Sequence, residues 1–276
     1  MTKIKHFRNI PNTRSSHSEY VLNHNELIEY SQCYNSIDKF LGTVSFTPNS
    51  RYKIALYKYQ KEIIDHYQQY RYRIEMFSRQ MEMDKLMAGV YLWQMIFNPS
   101  YKIIIFGFNR DSVAKYYDDI LNLYKGVPYY MQPGLITLSN AKKIEFDNGS
   151  CIEFAVYKKN IALGKNYSNY IFIDAAYFLH FESFFKSIYP TISASKDTSI
   201  TINSTPNGLN YFYDLVTGSE LFEGDPLKNS FNCKRAYWFE VPGQNNEEWR
   251  LKTIKDLGSE ELFNREYNLM FVTSNK

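Results

Sequence analysis

Cysteine is scarce in this chain, with Cys33, Cys151 and Cys233 standing far apart, without a CxxC pair and without clustered histidines. Neither a disulfide frame nor a zinc site is expected, and a reducing compartment is. The five histidines, His6, His17, His24, His66 and His180, are scattered as well. No apolar run approaches the roughly 18 residues that a membrane span requires. The N-terminus also lacks the charged-then-apolar pattern and small-residue cleavage site of a secretory signal. A soluble, unsecreted protein of the cytoplasm is the expectation. A basic tail or stripe is missing too: 32 basic and 29 acidic side chains alternate along the chain to a net charge of +3, so charge alone names no nucleic-acid partner. What is present is apolar bulk. At 276 residues and 44% apolar content the chain can bury a full core, as one large domain or as a domain with a small one appended. The 25 tyrosines and 20 phenylalanines accompany many Asn, Lys and Ile residues and read as AT-rich coding sequence.

Residues 1 to 50 show no sustained period and contain Pro11, Pro48 and many Asn and Ser, which predicts an irregular arm with one short helix around Asn25 to Phe40. The arm is expected to pack on a core domain covering residues 51 to 276. Leu56, Tyr59, Ile63 and Tyr67 follow helical spacing, and Arg73 to Ser78 reads as a short strand. Then come a buried helix in "LMAGVYLWQMIF", a continuous apolar strand in "KIIIFGF" and an amphipathic helix in "DSVAKYYDDILNLY" that starts at an Asp or Ser cap. "KKIEFDNGSCIEFAVY", residues 142 to 157, is a hairpin, because Asn148-Gly149 supplies the positive φ angles of a tight turn. "YIFIDAAYF" and "TSITINSTP" are further buried strands, each followed by a helical segment, and the C-terminal stretch is two helices broken at Gly258. The alternation predicts an α/β fold on a mainly parallel sheet.

Polar groups terminate several of these strands: Ser78-Arg79-Gln80, Asp174, and Ser204-Thr205-Pro206. Open α/β sheets bind ligands at strand C-termini, which points to a nucleotide site. Each group also has a plainer reading. Gln60 is an ordinary surface residue on an exposed helical turn, Arg79 and Gln80 cap a strand, Asp174 caps a helix, and Ser204 to Gly208 is a strand-to-helix turn. In combination, "LYKYQKEII", "SRQM", "QPGLITLSNAKKIEFDNGSCIEF", "YIFIDAAYF" and "STPNGLNYFYDL" resemble, in order and spacing, the ATPase domain of the large terminase subunit of tailed bacteriophages, of the myophage type. The resemblance spans roughly residues 25 to 272. It implies a P-loop NTPase-like fold of the ASCE/RecA type with an inserted hairpin. It implies adenine contact at Tyr59 and Gln60, a phosphate loop beginning at Arg79 and Gln80, a magnesium-ordering Asp174, and a coupling motif at Ser204, Thr205 and Pro206.

The same resemblance implies Gly-Lys-Thr or Gly-Lys-Ser after "SRQM", where this chain has Glu82-Met83-Asp84. Glycine admits the close approach of backbone to phosphate, lysine bridges the phosphate oxygens and the hydroxyl holds Mg²⁺. A carboxylate about 4 Å from a phosphate charge costs roughly 4 kcal/mol at an effective dielectric near 20, about three decades of affinity. Lys85 stands one residue past the hydroxyl position, about 100° further round a helix, and substitutes poorly. The glutamate implied after Asp174 is Ala175, and the arginine implied in "ALGKNYS" is Leu163. A general base contributes about 10²- to 10⁴-fold, which alanine cannot supply. The chain ends at "NLMFVTSNK", about where the family's C-terminal nuclease domain begins, so no nuclease is expected.

These features leave three readings. The first is a non-catalytic terminase-like protein that needs no cofactor and binds double-stranded DNA, a portal or active motor subunits in a phage-infected host's cytoplasm. The second is a packaging ATPase that uses ATP and Mg²⁺ through Arg79, Lys85 and Asp174, completed by a neighbouring subunit in a ring on a prohead. The third is an unrelated α/β small-molecule binder.

Overall fold

The computed structural model describes residues 4–44, 56–139, 142–157 and 166–272. Its helices and strands, in chain order, are α1 (His24–Asn35), α2 (Ile37–Thr43), α3 (Lys58–Gln69), β1 (Tyr72–Phe77), α4 (Met83–Phe97), β2 (Lys102–Gly107) and α5 (Arg110–Gly126). They continue with β3 (Leu135–Ser139), β4 (Lys143–Phe146), β5 (Cys151–Val156), β6 (Asn169–Ile173), α6 (Phe181–Ser193), β7 (Ser199–Asn203), α7 (Tyr211–Glu220), β8 (Asn232–Ala236), α8 (Glu247–Leu257) and α9 (Glu260–Glu266). Two compact units divide the chain, one built from residues 1–56, 84–105 and 110–155, the other from 57–83, 106–109 and 156–276. None of the described helices is long and apolar enough to cross a membrane.

In the first unit the strand order is β3-β4-β5-β2, and β4 runs antiparallel to both β3 and β5. α4 is apolar nearly all round and correspondingly buried. α5 buries Val113, Tyr116, Tyr117, Ile120, Leu123 and Tyr124, the stripe that its three- and four-residue spacing predicts. The N-terminal arm departs from the expected single helix. Ser36 is extended at φ −148° and its side chain accepts from the Lys39 amide, so the segment becomes two capped helices, α1 and α2. The arm packs by specific contacts: the Trp93 indole donates to the Cys33 carbonyl at 2.7 Å, and the ring of Phe97 meets Tyr30, Tyr34 and Phe40. The β4–β5 hairpin forms, but of its turn residues only Gly149 is left-handed, at φ 84°. Asn148 instead spends its side chain on the Met95 carbonyl and the Ser150 amide.

In the second unit the order is β6-β7-β1-β8, with all four strands parallel. β6 and β7 are buried along their whole length, as continuous apolar runs require. β8 was not expected. Its sequence, Asn-Cys-Lys-Arg-Ala, holds little apolar surface because it ends the strand order, where polar side chains protect an edge. β1 is unusual in burying Arg73 and Glu75 on one face. The Arg73 guanidinium donates to Thr201 Oγ1 and to the Tyr67 and Tyr70 carbonyls. Glu75 accepts from Asn203 Nδ2 at 3.2 Å and lies 3.8 Å from His66 Nδ1. At the C-terminal end, Gly258 closes α8 at φ 69° and Ser259 caps α9 through the Leu262 amide, which is the break the sequence predicts.

Gly134 fixes the arm to β3. Its amide donates to Asp147 Oδ1 at 2.8 Å, while a Cβ there would lie 2.6 Å from the Ser16 Cα and 2.7 Å from the Ser15 carbonyl oxygen. Because two of the three crowding atoms are backbone, the third being Asp147 Oδ2 at 2.5 Å, Gly134→Ala is expected to cost about 1–3 kcal/mol, the range for overpacking, by urea denaturation. Trypsin should also cut near Arg14 sooner in the variant. An unchanged midpoint and cleavage rate would show that the arm does not depend on this contact.

Candidate functional site

Parallel pairing decides where the chemistry collects. Ile173 of β6 stands beside Asn203 of β7, and Asn203 stands beside Glu75 of β1, so the segments that follow these strands emerge at one sheet edge. Ser78, Asp174 and Ser204 are therefore brought together, as their strand-terminal positions predict. Asp174 is left-handed at φ 57°, which turns the chain sharply after β6. The following turn is then tied to β7: the Ala176 amide donates to Ser204 Oγ at 3.1 Å, and Asn207 and Asn210 donate to the Ala176 carbonyl at 3.3 and 2.7 Å. Asn210 also caps α7, so the segment containing Thr205 and the buried Pro206 is a rigid connection between the end of β7 and a helix.

The loop leaving β1 is short and strained. Gln80 and Glu82 are both left-handed, at φ 63° and 54°. A side chain in that region costs roughly 1–2 kcal/mol, because its Cβ crowds the following carbonyl. Met81 and Met83, 2% and 3% exposed, pin the loop from inside. The Tyr59 hydroxyl reaches the Met81 carbonyl at 3.5 Å. Burial, then the neighbouring Tyr57, Glu240 and Glu82, pushes that hydroxyl up to about 12. Ser78 accepts from the Trp238 amide at 3.0 Å and donates to the Tyr267 carbonyl at 2.5 Å.

The candidate residues fare differently. Tyr59 packs beneath the loop. Gln60 is buried and its Oε1 accepts from the Tyr57 amide at 2.9 Å, so it closes the first turn of α3. Arg79 is half exposed, and its Nε donates to Glu266 Oε2 at 2.8 Å. Burial pulls its pKa down, but the charges of Glu266 and Asp174 and the Tyr177 hydroxyl prevail and raise it. Asp84 and Lys85 belong to the other compact unit. There Asp84 pairs with Lys115 and accepts from the Tyr116 hydroxyl at 3.1 Å. Lys85 lies in the field of Asp119, whose carboxyl burial pushes up and Lys115 and Lys85 draw back. Ala175 is 1% exposed. Leu163 lies outside the described residues.

Glu266, Tyr177, Trp238 and Tyr267 were not legible as site residues. They lie far along the chain from the loop they touch, and Glu266 sits in a polar stretch, "EELFNREYN", that reads as a solvated helix.

Magnesium nucleotide is the ligand the resemblance implies, and the side chains at the loop differ from the Gly-Lys-Thr it expects. Met83 is buried, the Asp84 carboxylate is engaged with α5, and Glu82 exposes a negative charge at the loop. Among the described residues no group of three or more His, Cys, Asp or Glu side chains could hold a metal ion.

The strain has a direct test. Glu82→Gly relieves a left-handed side chain, worth about 1–2 kcal/mol, and gives back about 0.4–1 kcal/mol through a freer unfolded chain. Urea denaturation is expected to show stability level or higher by up to about 1.6 kcal/mol. A loss larger than that would mean the Glu82 side chain itself holds the loop.

No protein-family model matches the sequence. In three dimensions the chain is similar to the large terminase of bacteriophage HK97, with a TM-score of 0.65 at 13% identity over 86% of this chain and 54% of that one. The ATPase domain of the Thermus phage P74-26 large terminase superposes at 0.60 and 19% identity, over 79% of this chain and 94% of that domain. A large terminase from a thermophilic bacteriophage, in complex with ADP, superposes at 0.57 and 11% identity, over 79% of this chain and 54% of that one. The chain spans about half the length of the HK97 protein and of the ADP-bound terminase. Parallel strands ending at one edge, the strained loop after β1 and the capped turn before α7 are thus set in the fold of a phage large terminase ATPase domain.

Proposed function

We propose that this protein is a terminase-like component of a viral DNA-packaging motor that does not itself hydrolyse ATP. It acts instead as a binding component toward double-stranded DNA, a portal or catalytic terminase subunits in the cytoplasm of an infected host. One observation carries this reading. The loop after β1 keeps two left-handed residues, Gln80 and Glu82, of which Glu82 stands where the resemblance implies glycine and places an exposed carboxylate there that repels phosphate. Backbone of that shape is costly and persists where a fold was built around it, whereas the chemistry of Glu82-Met83-Asp84 is that of repulsion and burial. Ala175 removes the base independently.

The alternative, an ATPase completed by a neighbouring subunit, draws on Asp174 and on the half-exposed Arg79. It leaves Ala175 and the occupied Asp84 unexplained.

Phosphate release under excess Mg·ATP is expected at background rate for the purified chain. Ala175→Glu alone should change nothing, because binding and base catalysis fail separately and separate deficits add. Glu82→Gly, Met83→Lys and Asp84→Thr together should bring Mg·ATP binding, and hydrolysis only when Ala175→Glu is added. Turnover by the natural chain near one per second, an ordinary enzymatic rate, that Asp174→Ala abolishes would overturn the proposal. So would efficient hydrolysis by Ala175→Glu alone.

A further inference from the structure

Arg79, the loop's exposed cation, already has an anionic partner. Besides the 2.8 Å ion pair, its backbone amide donates to the Glu266 carbonyl at 3.1 Å, so main chain and side chain are both bound by one residue of α9. Glu266 is only 7% exposed, although it is a carboxylate. Its second oxygen accepts from Arg265 Nε at 2.9 Å and from the Tyr177 hydroxyl at 3.4 Å, and that hydroxyl stands 3.4 Å from Thr205 Oγ1. The carboxylate thus sits among residues that follow β1, β6 and β7. α9 delivers it rigidly. Trp238, Phe263 and Tyr267 are buried together, Trp249 stacks on Trp238 at 5.0 Å, and Phe263 stacks on Tyr267 at 5.0 Å.

We propose that Glu266 is the resident anion of this loop, holding Arg79 in place of a phosphate group and competing with phosphate-type anions for it while α9 is docked. This deepens the reading above, on which it rests for the loop's relation to phosphate, and names the competitor that enforces it. Carboxylate and phosphate oxygens offer a guanidinium the same fork of hydrogen bonds, so the two compete directly. An attached competitor has the advantage of a high effective concentration. A displaced Glu266 would also leave a buried charge balanced only by Arg265, and separating a buried pair costs several kcal/mol. A free phosphate gains nothing comparable, because Glu82 repels it. A role for Glu266 as a general base in place of the one missing at Ala175 fits less well, since its oxygens are committed to two guanidinium groups and a phenol.

The test is calorimetric titration of the purified chain and its Glu266→Gln variant with inorganic pyrophosphate and, separately, with Mg·ATP at low ionic strength. Glu266→Gln keeps size and one acceptor oxygen while removing the charge and turning the other acceptor into a donor. It is expected to bind pyrophosphate at least tenfold more tightly than the natural chain, and the gain should vanish when Arg79→Ala is added. A gain for Mg·ATP but not pyrophosphate would place recognition in the nucleoside rather than at Arg79 and overturn the assignment. Equal pyrophosphate affinity in both proteins would overturn it, as would a gain that survives Arg79→Ala. If Glu266→Gln does not melt cooperatively, Glu266→Asp, which draws the carboxylate back by one methylene, carries the same expectation at smaller size. Phosphate release by the natural chain that Glu266→Gln abolishes would make Glu266 a base and sink the proposal. Release that Glu266→Gln leaves intact would instead contradict the non-hydrolytic reading of the whole protein, so the two failures are read on different axes.

Discussion

A strand in the middle of a parallel sheet must hand its chain to a helix on one side within a few residues, and the geometry of that reversal governs this protein's site. Between Phe77, the last residue of β1, and Met83, the first of α4, the backbone turns with two left-handed residues. The turn would be inexpensive with glycine. Here Gln80 and Glu82 absorb it at about 1–2 kcal/mol each, so the neighbours must over-determine the conformation. They do so from several directions: Met81 and Met83 are buried, Tyr59 reaches the Met81 carbonyl, Ser78 is bound by Trp238 and Tyr267, and the Arg79 amide is bound by Glu266. Arg79 and Glu82 face outward only because the rest of the loop is held so firmly.

The sheet beneath the loop is polar where a plainer design would be apolar. Arg73 and Glu75 of β1, Thr201 and Asn203 of β7 and His66 of α3 are all buried within one hydrogen-bonded layer. Replacing such a layer with apolar side chains of equal size can be neutral or stabilising, so stability is a weak account of it. A better one is register. A one-residue slip of a β-strand carries every side chain to the opposite face. A slipped β1 would turn Arg73 and Glu75 to the face of Ile200, Ile202 and Cys233 and away from Thr201 and Asn203, at a cost that apolar residues would not incur. The parallel register sets where β1 ends relative to β6 and β7, and hence whether Ser78, Asp174 and Ser204 share an edge.

The sequence made this edge legible and left much of its wiring hidden, for reasons that differ by residue. Apolar runs such as "YIFI" and "SITI" announce buried strands directly, and Gly258 announces a helix end because its φ of 69° suits glycine. Asn148-Gly149 marked the hairpin but overstated it, since only the glycine is left-handed and the asparagine side chain is drawn off by the Met95 carbonyl. β8 was silent because an edge strand is selected for polarity, and the Ser36 break was silent because one serine among polar residues carries little periodic signal. Gln60 could be seen as a candidate, and its plain reading was a surface residue; it is buried instead, because its oxygen turns back to the Tyr57 amide at the helix start.

Glu266 shows why a site can be half legible even when its fold is recognised. A loop motif is local, so the losses at Glu82, Met83, Asp84 and Ala175 stand in the sequence as written. The charge that meets Arg79 is separated from it by 187 residues and arrives through a stack of aromatic rings that position α9. Nothing in "EELFNREYN" distinguishes a glutamate bound for a buried ion pair from its solvated neighbours, because the distinction is made only when its Phe263 and Tyr267 pack with Trp238 and Trp249 from elsewhere in the chain. On the proposed reading, the departures at Glu82, Met83 and Asp84 and the carboxylate that meets Arg79 are linked. Arg79, half exposed, then meets a carboxylate of the same chain, whose attachment favours it over a ligand from solution.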